Sequence, residues 1–277
     1  MSTDLEAIDV HGHYGPYEQD ASDLNRLLMS GDAALVVRRA RAVNIRWTAV
    51  SPLLGLLPRG QADAAAGNAE AARVVAETDG LLQWVVVDPR RPETYSQAEE
   101  MLQGPRCAGI KIHPEEHLYA IAEHGRALFE FAARHRAVVL GHSSERNSLC
   151  ADYVRWANEF PDVRLILAHL GCGWDNDLTH QVRGIQASKH GNVYADTSSA
   201  RSIMSGLIEY AVREVGAERV LFGTDTPLYS AAAQRARIDH AGITEGEKRL
   251  ILHDNAVRLL RFDTRQPMLN DARGVNA

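Results

Sequence analysis

Short apolar segments alternate with longer amphipathic segments along most of this chain. The short segments are rich in β-branched and aliphatic residues and end in polar residues or turn signals, which predicts buried strands. The longer segments carry Ala, Leu, Glu and Arg, with apolar residues three and four positions apart, which predicts helices. The predicted strands are EAIDVHGH (6–13), IRWTAVSPL (45–53), LLQWVVVDP (81–89), CAGIKIHP (107–114), AVVLGHSS (137–144), VRLILAHLG (163–171), NVYADTSS (192–199) and RVLFGTDTP (219–227). The clearest predicted helices cover 24–44, 62–77, 120–135, 148–160 and 244–262.

The order of these segments predicts the fold class. Strands that alternate with helices pair in parallel through helical crossovers, and eight such units fit a closed (β/α)8 TIM barrel. A doubly wound open sheet is the alternative, and we place it second because no glycine-rich phosphate loop follows any predicted strand. We expect one barrel domain over residues 1–262 and a polar C-terminal tail over 263–277.

Composition narrows the classes of partner. Hydrophobic residues make up 45% of the 277 residues and charged residues 24%, as in ordinary compact proteins. A net charge of −6 gives no electrostatic reason to expect nucleic acid or an anionic membrane as partner. The three cysteines, Cys107, Cys150 and Cys172, are scattered, and no signal peptide or long apolar span is evident, so we expect a cytoplasmic protein.

Polar residues of the metal-binding and acid–base types end five of the predicted strands. In a TIM barrel the carboxyl ends of the strands carry the active site, so these residues are predicted to meet. Their order is His11 and His13 after strand one, Lys111 and His113 after strand four, His142 after strand five, His169 after strand six and Asp225 after strand eight.

Each of these residues also has an ordinary structural explanation. His142 or His169 alone would often be a core histidine bonded to backbone, and Asp225 before Thr-Pro suits a turn. Lys111 could extend along the strand face to solvent. Four separate strands ending in ligand-type residues at one end of a barrel are harder to explain in this way, and we therefore favour a functional cluster.

Three imidazoles and one carboxylate, with no thiolate, form a nitrogen and oxygen site that suits zinc, manganese, iron or cobalt. A divalent ion there can lower the pKa of a bound water to about 7. Asp225 could accept that proton, and His169 could polarise a carbonyl or act as a second acid or base. The GHSS and DTSS segments lack the GxSxG pattern of a serine nucleophile.

Together these motifs resemble the amidohydrolase superfamily, specifically the branch that includes aminocarboxymuconate semialdehyde decarboxylase. The motifs are HGH on strand one, GIKIHP on strand four, LGH on strand five, LAHLGCG on strand six and LFGTDTP on strand eight. The resemblance covers about residues 6–262 and implies one divalent ion, zinc before manganese, iron or cobalt. It places His11, His13, His142 and Asp225 at ligand positions, with His169 handling protons beside the metal.

The resemblance also leaves questions of metal number and reaction open. A strand-four lysine is carboxylated and bridges two metals elsewhere in the superfamily, so Lys111 and His113 are candidates for a second metal or for substrate contact. The reaction we expect first is hydrolysis of a small carboxylate-bearing lactone or amide. The alternatives are decarboxylation of an aromatic or enol acid, and a non-catalytic metal-binding barrel.

An anionic small-molecule substrate would need cations and planar surfaces in the loops that follow the strands. Relatives in this branch commonly form dimers, so the resemblance also implies a homodimer. The loop residues that we nominate for substrate binding are Tyr14, Arg59, Arg146, Trp174 and Arg201.

Overall fold

The computed structural model describes residues 5–199 and 203–260 of the chain. It contains a single parallel sheet in which the eight strands follow one another in sequence order. Each predicted strand is present, although the last four are shorter than predicted. The strands are β1 (Ala7–Tyr14), β2 (Ile45–Pro52), β3 (Leu81–Val86), β4 (Cys107–Ile112), β5 (Val138–Gly141), β6 (Arg164–Leu167), β7 (Val193–Asp196) and β8 (Val220–Leu221).

Backbone hydrogen bonds between β1 and the chain around β8 close the sheet into a barrel. The Val10 amide donates to the Phe222 carbonyl over 2.9 Å, and the Asp225 amide donates to the His11 carbonyl over 2.7 Å. The His13 amide reaches the Thr226 carbonyl over 2.6 Å. The predicted (β/α)8 fold is therefore confirmed, and the open-sheet alternative is wrong.

Helices follow the strands and cover the outside of the barrel. The predicted helix over 24–44 is wrong in one respect, because it is two helices separated by Ser30–Asp32. Gly31 pairs with Gly15 in an isolated β-bridge, and the Asp32 side chain caps the second helix. The helices are α1 (Asp23–Met29), α2 (Ala33–Arg41), α3 (Ala64–Glu77), α4 (Pro92–Met101), α5 (Ile121–His135), α6 (Cys150–Glu159), α7 (His180–Gln186), α8 (Leu207–Val215), α9 (Ala231–Asp239), α10 (Glu245–Arg249) and α11 (Asn255–Leu260), with a π-helical turn at Leu250–Asp254.

The core has two layers, as the alternation of strand side chains requires. One layer fills the barrel and includes Ile8, Trp47, Trp84 and Leu140, with α11 closing it through Leu259. The other lies between the strands and the surrounding helices and is lined by residues such as Ile110, Val139, Leu165, Phe129 and Trp156.

Irregularities in β1 and β4 change which side chains face inward. The pairing of β1 with β2 shifts between Asp9 and Gly12, and that of β3 with β4 shifts where Gly109 adopts a φ of 147°. In β1, Val10 packs inside the barrel and the next residue, His11, also joins the inner site. Each bulge therefore lets one strand place a side chain in the barrel core and a later side chain in the site at the carboxyl end of the barrel.

The residues that follow the short strands carry much of the polar chemistry. His169, Ser199 and Asp225 all have positive φ values, at 71°, 95° and 58°. Such backbone is uncommon for residues other than glycine and is often found at functional sites. No helix in the described part of the chain is long and apolar enough to cross a membrane. The predicted tail, 263–277, lies outside the described residues.

Candidate metal centre

Three potential metal ligands converge at the carboxyl end of the barrel. The Nε2 atom of His13 lies 3.0 Å from Oδ1 of Asp225, and Nε2 of His11 lies 3.6 Å from the same oxygen. All three side chains are buried. One donor atom from each lies within 4.8 Å of the others, which is the clustering that a single divalent ion needs. The donor set of two imidazoles and a carboxylate fits such an ion.

Close packing around Gly12, the residue between the two histidines, explains the HGH motif. A Cβ atom added at Gly12 would lie 2.6 Å from Cγ2 of Thr48 and 3.2 Å from Cγ2 of Thr226. Any larger residue would push β1 away from one of these neighbours. Gly12 therefore allows His11 and His13 to approach Asp225 from the same strand.

Hydrogen bonds hold the far side of both imidazole rings. Nδ1 of His13 lies 3.1 Å from the Ser51 carbonyl oxygen, which can only accept, so Nδ1 carries the proton. Nδ1 of His11 donates to Oδ2 of Asp196 over 2.9 Å. In both rings Nε2 is thereby left with a lone pair on the side that faces Asp225.

Lys111 reaches the same cluster from β4. Its Nζ donates to Nε2 of His11 over 2.9 Å, and the side chain is fully buried. Burial lowers the pKa of the Lys111 ammonium to about 8, although Asp225 and Asp196 oppose this shift. An amine so placed beside a ligand fits the predicted role near the metal, and carboxylation of Lys111 stays a prediction.

Burial and charge also set the protonation of the other site residues. Burial lowers the pKa of His11 and holds that of His169 well below the usual value, so both rings are neutral at pH 7. Burial alone would raise the pKa of Asp225, but the close contact with His13 and the nearby imidazoles bring it below the usual range. Neutral imidazoles and an ionised carboxylate are the protonation states that metal ligands require.

His142 and His169 lie beside this triad and contact each other. Nδ1 of His142 is 3.1 Å from Nε2 of His169, and Nε2 of His142 is 2.8 Å from Oε1 of Glu145. His113 stacks on His142, with 4.1 Å between ring centroids. His142 is not within the three-residue cluster of His11, His13 and Asp225, so its role as the fourth ligand stays a prediction.

A cavity of about 410 Å³ opens above these residues. His11, His13, His169 and Asp225 line one part of it, and Glu116 lines another. Further polar lining comes from Gln19, His113, His142, Glu145, Cys172 and Ser199. The apolar and aromatic lining comes from loops that follow different strands: Tyr17, Leu53, Leu56, Leu57, Trp174, Leu228 and Tyr229.

The residues nominated for substrate binding lie in different environments. Trp174 lines the cavity, and the Arg146 guanidinium lies 5.7 Å from the centre of its ring. Arg59 is half-exposed and binds Glu116 through two hydrogen bonds of 2.9 and 3.3 Å. A substrate carboxylate would therefore compete with Glu116 for this cation. Arg201 lies outside the described residues.

The prediction for Tyr14 is wrong. Its side chain packs with Val36, Val37 and Ala71 in the layer between the strands and helices. The reason is the alternation of strand side chains, because Tyr14 directly follows the inward-facing His13.

Several polar residues of the site are missing from the sequence predictions. Asp196 is the last residue of β7 and contacts the imidazole of His11, and Ser198 follows it and contacts the imidazoles of His11 and His169. Glu145 follows β5 and contacts His142. The signal for Asp196 and Ser198 is the DTSS segment, which ends a predicted strand in the same way as the five chosen motifs.

A family model described as Amidohydrolase (Amidohydro_2) matches residues 8–262, which span all eight strands. The chain belongs to the amidohydrolase family. This match confirms the resemblance drawn from the motifs and makes the chain an enzyme of a metal-dependent family. No curated protein sequence matches this amidohydrolase-family chain.

Solved structures with the same fold include several decarboxylases. The 2,6-dihydroxybenzoate decarboxylase from Rhizobium is 14% identical with a TM-score of 0.74, over 93% of this chain and 99% of that one. The 5-carboxyvanillate decarboxylase from Sphingomonas paucimobilis is 15% identical with a TM-score of 0.70, over 94% and 100%. A dihydroxybenzoic acid decarboxylase from Polaromonas, solved with manganese and the inhibitor 2-nitroresorcinol, is 14% identical with a TM-score of 0.70, over 93% and 97%. At these identities the likeness shows the fold of this amidohydrolase-family chain.

Proposed function

We propose that this chain is a metal-dependent, non-oxidative decarboxylase of an aromatic or enol carboxylic acid. The observation that carries the proposal is a single cavity that is lined both by the triad of His11, His13 and Asp225 and by several leucine and aromatic side chains. Such a cavity binds a flat apolar ring while a charged group at one end reaches polar residues. The decarboxylases with the same fold support this reaction over hydrolysis, which we place second.

The residues divide into groups with different tasks. His11, His13 and Asp225 would hold a divalent ion, with His142 completing the set, and the nitrogen and oxygen donors suit zinc or manganese. When bound, that ion supplies positive charge that holds the substrate carboxylate and a neighbouring oxygen. Leu53, the other cavity leucines and Trp174 would hold the ring.

The reaction itself needs one proton at the correct place. The bond between the ring carbon and the carboxylate carbon breaks, carbon dioxide leaves, and the electron pair stays on the ring carbon, which then takes a proton. His169 and Asp225 line the cavity together and are the two groups we assign to this transfer. Because Asp225 is ionised and His169 is neutral, one of them would first take the proton of the hydroxyl group of the aromatic or enol substrate and then deliver it to the ring carbon.

The experiment is a product analysis on the metal-loaded protein. The protein is incubated with Mn²⁺ or Zn²⁺ and a set of ortho-hydroxy aromatic acids, including 2,6-dihydroxybenzoate, and carbon dioxide release is measured by a coupled assay. A parallel set of lactones and amides is followed by acid release. We expect carbon dioxide release that chelation abolishes. Acid release from a lactone without carbon dioxide from any acid would instead identify a hydrolase.

Two variants separate binding from proton transfer. Asp225→Asn removes both a ligand and a candidate proton donor, so we expect loss of metal and loss of turnover. His169→Asn should keep the metal and lose turnover, because His169 is outside the triad. Stoichiometric metal in the wild type, with no turnover of any acid, lactone or amide, would support the non-catalytic barrel.

A further inference from the structure

Asp196 and Ser198 form a buried polar group behind the proposed metal site. Oδ2 of Asp196 accepts the His11 Nδ1 proton over 2.9 Å, and Oγ of Ser198 lies 3.0 Å from the same nitrogen. Ser198 Oγ also lies 2.9 Å from Nδ1 of His169. Both residues are fully buried, so water does not compete for these contacts.

The second oxygen of Asp196 accepts from two backbone amides, which can only donate. Oδ1 accepts from the backbone amides of His169 and Ser198, over 3.1 and 2.9 Å, and also from the Ser198 hydroxyl. A backbone amide can only donate, so the position of Oδ1 must be occupied by an acceptor. The carboxylate is therefore fixed with Oδ2 towards the imidazole of His11.

We propose that Asp196 is a positioning residue that fixes the Nδ1–H tautomer of His11, and that Ser198 extends this control to His169. The tautomer matters because only an Nε2 atom without a proton can bind a metal. On the opposite side of the His11 ring, Nε2 already accepts a hydrogen bond from Lys111 over 2.9 Å. The inference rests on the proposed metal site but not on the reaction proposed for it.

The geometry makes an unusual prediction for the isosteric variant Asp196→Asn. The amide oxygen must take the place of Oδ1, because two backbone amides point at that position. The NH₂ group then faces Nδ1 of His11 and donates to it. This reverses the tautomer, so that Nε2 carries the proton and cannot bind the ion. Asp196→Ala removes the constraint but does not impose the wrong tautomer.

The test measures Mn²⁺ affinity by isothermal titration calorimetry on metal-free protein. We expect affinity to fall about 10- to 100-fold in Asp196→Asn, as for other residues that orient a metal-binding histidine. The loss in Asp196→Ala should be smaller. A purely structural role predicts the reverse order, because Asn fits the space of Asp and Ala leaves a cavity. An Asn variant that binds Mn²⁺ as well as wild type, or better than the Ala variant, overturns the proposal.

Asp9→Asn is the matched control. Asp9 is another fully buried carboxyl next to His11, but it accepts from the backbone amides of His11 and Thr224 and not from a ring. Its other oxygen contacts the Thr224 hydroxyl over 2.6 Å, and a hydroxyl, unlike a backbone amide, can also accept from an NH₂ group in that place. We expect its Mn²⁺ affinity within about threefold of wild type. A loss as large as that of Asp196→Asn would indicate that any buried carboxyl here matters equally, and would overturn the proposal.

A spectroscopic measurement on the wild type does not depend on variants that fold. Long-range ¹H–¹⁵N spectra distinguish the two neutral tautomers of histidine, and the His11 signals are assigned by their absence in His11→Gln. We expect Nδ1–H for His11 in metal-free protein, and Nε2–H in Asp196→Asn. An Nε2–H ring in the wild type overturns the proposal. Failure of wild-type protein to bind Mn²⁺ or Zn²⁺ would instead reject the metal site, and the spectra would still test the tautomer.

Discussion

At the scale of single residues, the site is built from short contacts between side chains that lie far apart in the sequence. His13 and Asp225 are joined over 3.0 Å, and Lys111 and His11 over 2.9 Å. Each contact orients a ring or an amine toward a common centre. Their effects can be separated by changing one residue at a time.

The first prediction distinguishes a ligand from a neighbour in the same cavity. His13→Ala removes an Nε2 atom that faces Asp225, so we expect Mn²⁺ affinity to fall at least about 100-fold. His113→Ala removes a ring that stacks on His142 and lines the same cavity. It should change affinity only severalfold. Titration calorimetry on both variants gives the answer, and equal losses would move His113 into the ligand set.

The second prediction concerns the thiols. Cys172 lines the cavity, whereas burial raises the pKa of Cys107 and of Cys150 to about 11, from an ordinary value of 9.0. At pH 8 a thiol with a pKa of about 11 stays protonated. It forms about a hundredfold less thiolate than a thiol with the ordinary pKa of 9.0. We therefore expect iodoacetamide to modify Cys172 first, as seen by mass spectrometry of peptides.

Occupation of the cavity provides the control for this labelling. A metal-loaded protein saturated with an aromatic acid should protect Cys172, and Cys172→Ser should remove the fast phase. Modification of Cys107 at the same rate as Cys172 would contradict the assigned environments.

At the scale of secondary-structure elements, the β-bulges connect the core to the site. The bulge in β4 requires Gly109, because its φ is 147° and an added Cβ would lie 2.3 Å from the Val138 carbonyl oxygen. Ala108 packs inside the barrel below the bulge, and Lys111 enters the site above it. Gly109 thus allows Ala108 to face the barrel core and Lys111 to face the site on the same strand.

The third prediction follows from this bulge. Gly109→Ala introduces strain at φ and a backbone clash, so we expect the free energy of unfolding to fall by at least about 2–3 kcal/mol. Gly246→Ala is the control, because Gly246 lies in α10 and the nearest atom to an added Cβ is 3.9 Å away. It should be neutral or stabilising by up to about 1 kcal/mol. Urea unfolding of the two variants measures both, and equal stabilities would contradict the bulge argument.

At the scale of the whole molecule, the barrel is closed at its side and at its base. Hydrogen bonds from β1 to the chain around β8 close the side. At the base, Ala256, Leu259 and Leu260 of α11 pack with the residues inside the barrel. The last described helix therefore belongs to the same core as the first strand.

The fourth prediction tests the closure by α11. Leu259 is 2% exposed, so Leu259→Ala should leave a cavity and lower the free energy of unfolding by about 2–5 kcal/mol. Leu27→Ala, at a residue that is 73% exposed, should change it by less than about 0.5 kcal/mol. Denaturant unfolding gives both values. A small effect at Leu259 would mean that the barrel base is stable without α11.

The sequence by itself determined the order of elements and the end of the barrel that carries the site. Residues repeat every two positions in strands and every three to four in helices, and this periodicity is local. For the same reason the HGH, GIKIHP and GTDTP motifs could be assigned to strand ends, where parallel strands bring their chemistry together. The divided helix at 24–44, the π-helical turn within the predicted helix at 244–262 and the shorter strands β5 to β8 departed from that plan.

The tertiary structure alone decided which of these residues touch. Hydrogen bonds between His11 and Asp196, or Arg59 and Glu116, join residues 185 and 57 positions apart, and no local pattern encodes such pairs. Tyr14 turned away from the cavity because it follows His13 by one strand position. The bulges in β1 and β4 changed which side chains face inward by one residue, and that step depends on how two strands pair. Periodicity is a property of the chain, whereas register and contact are properties of the packed barrel.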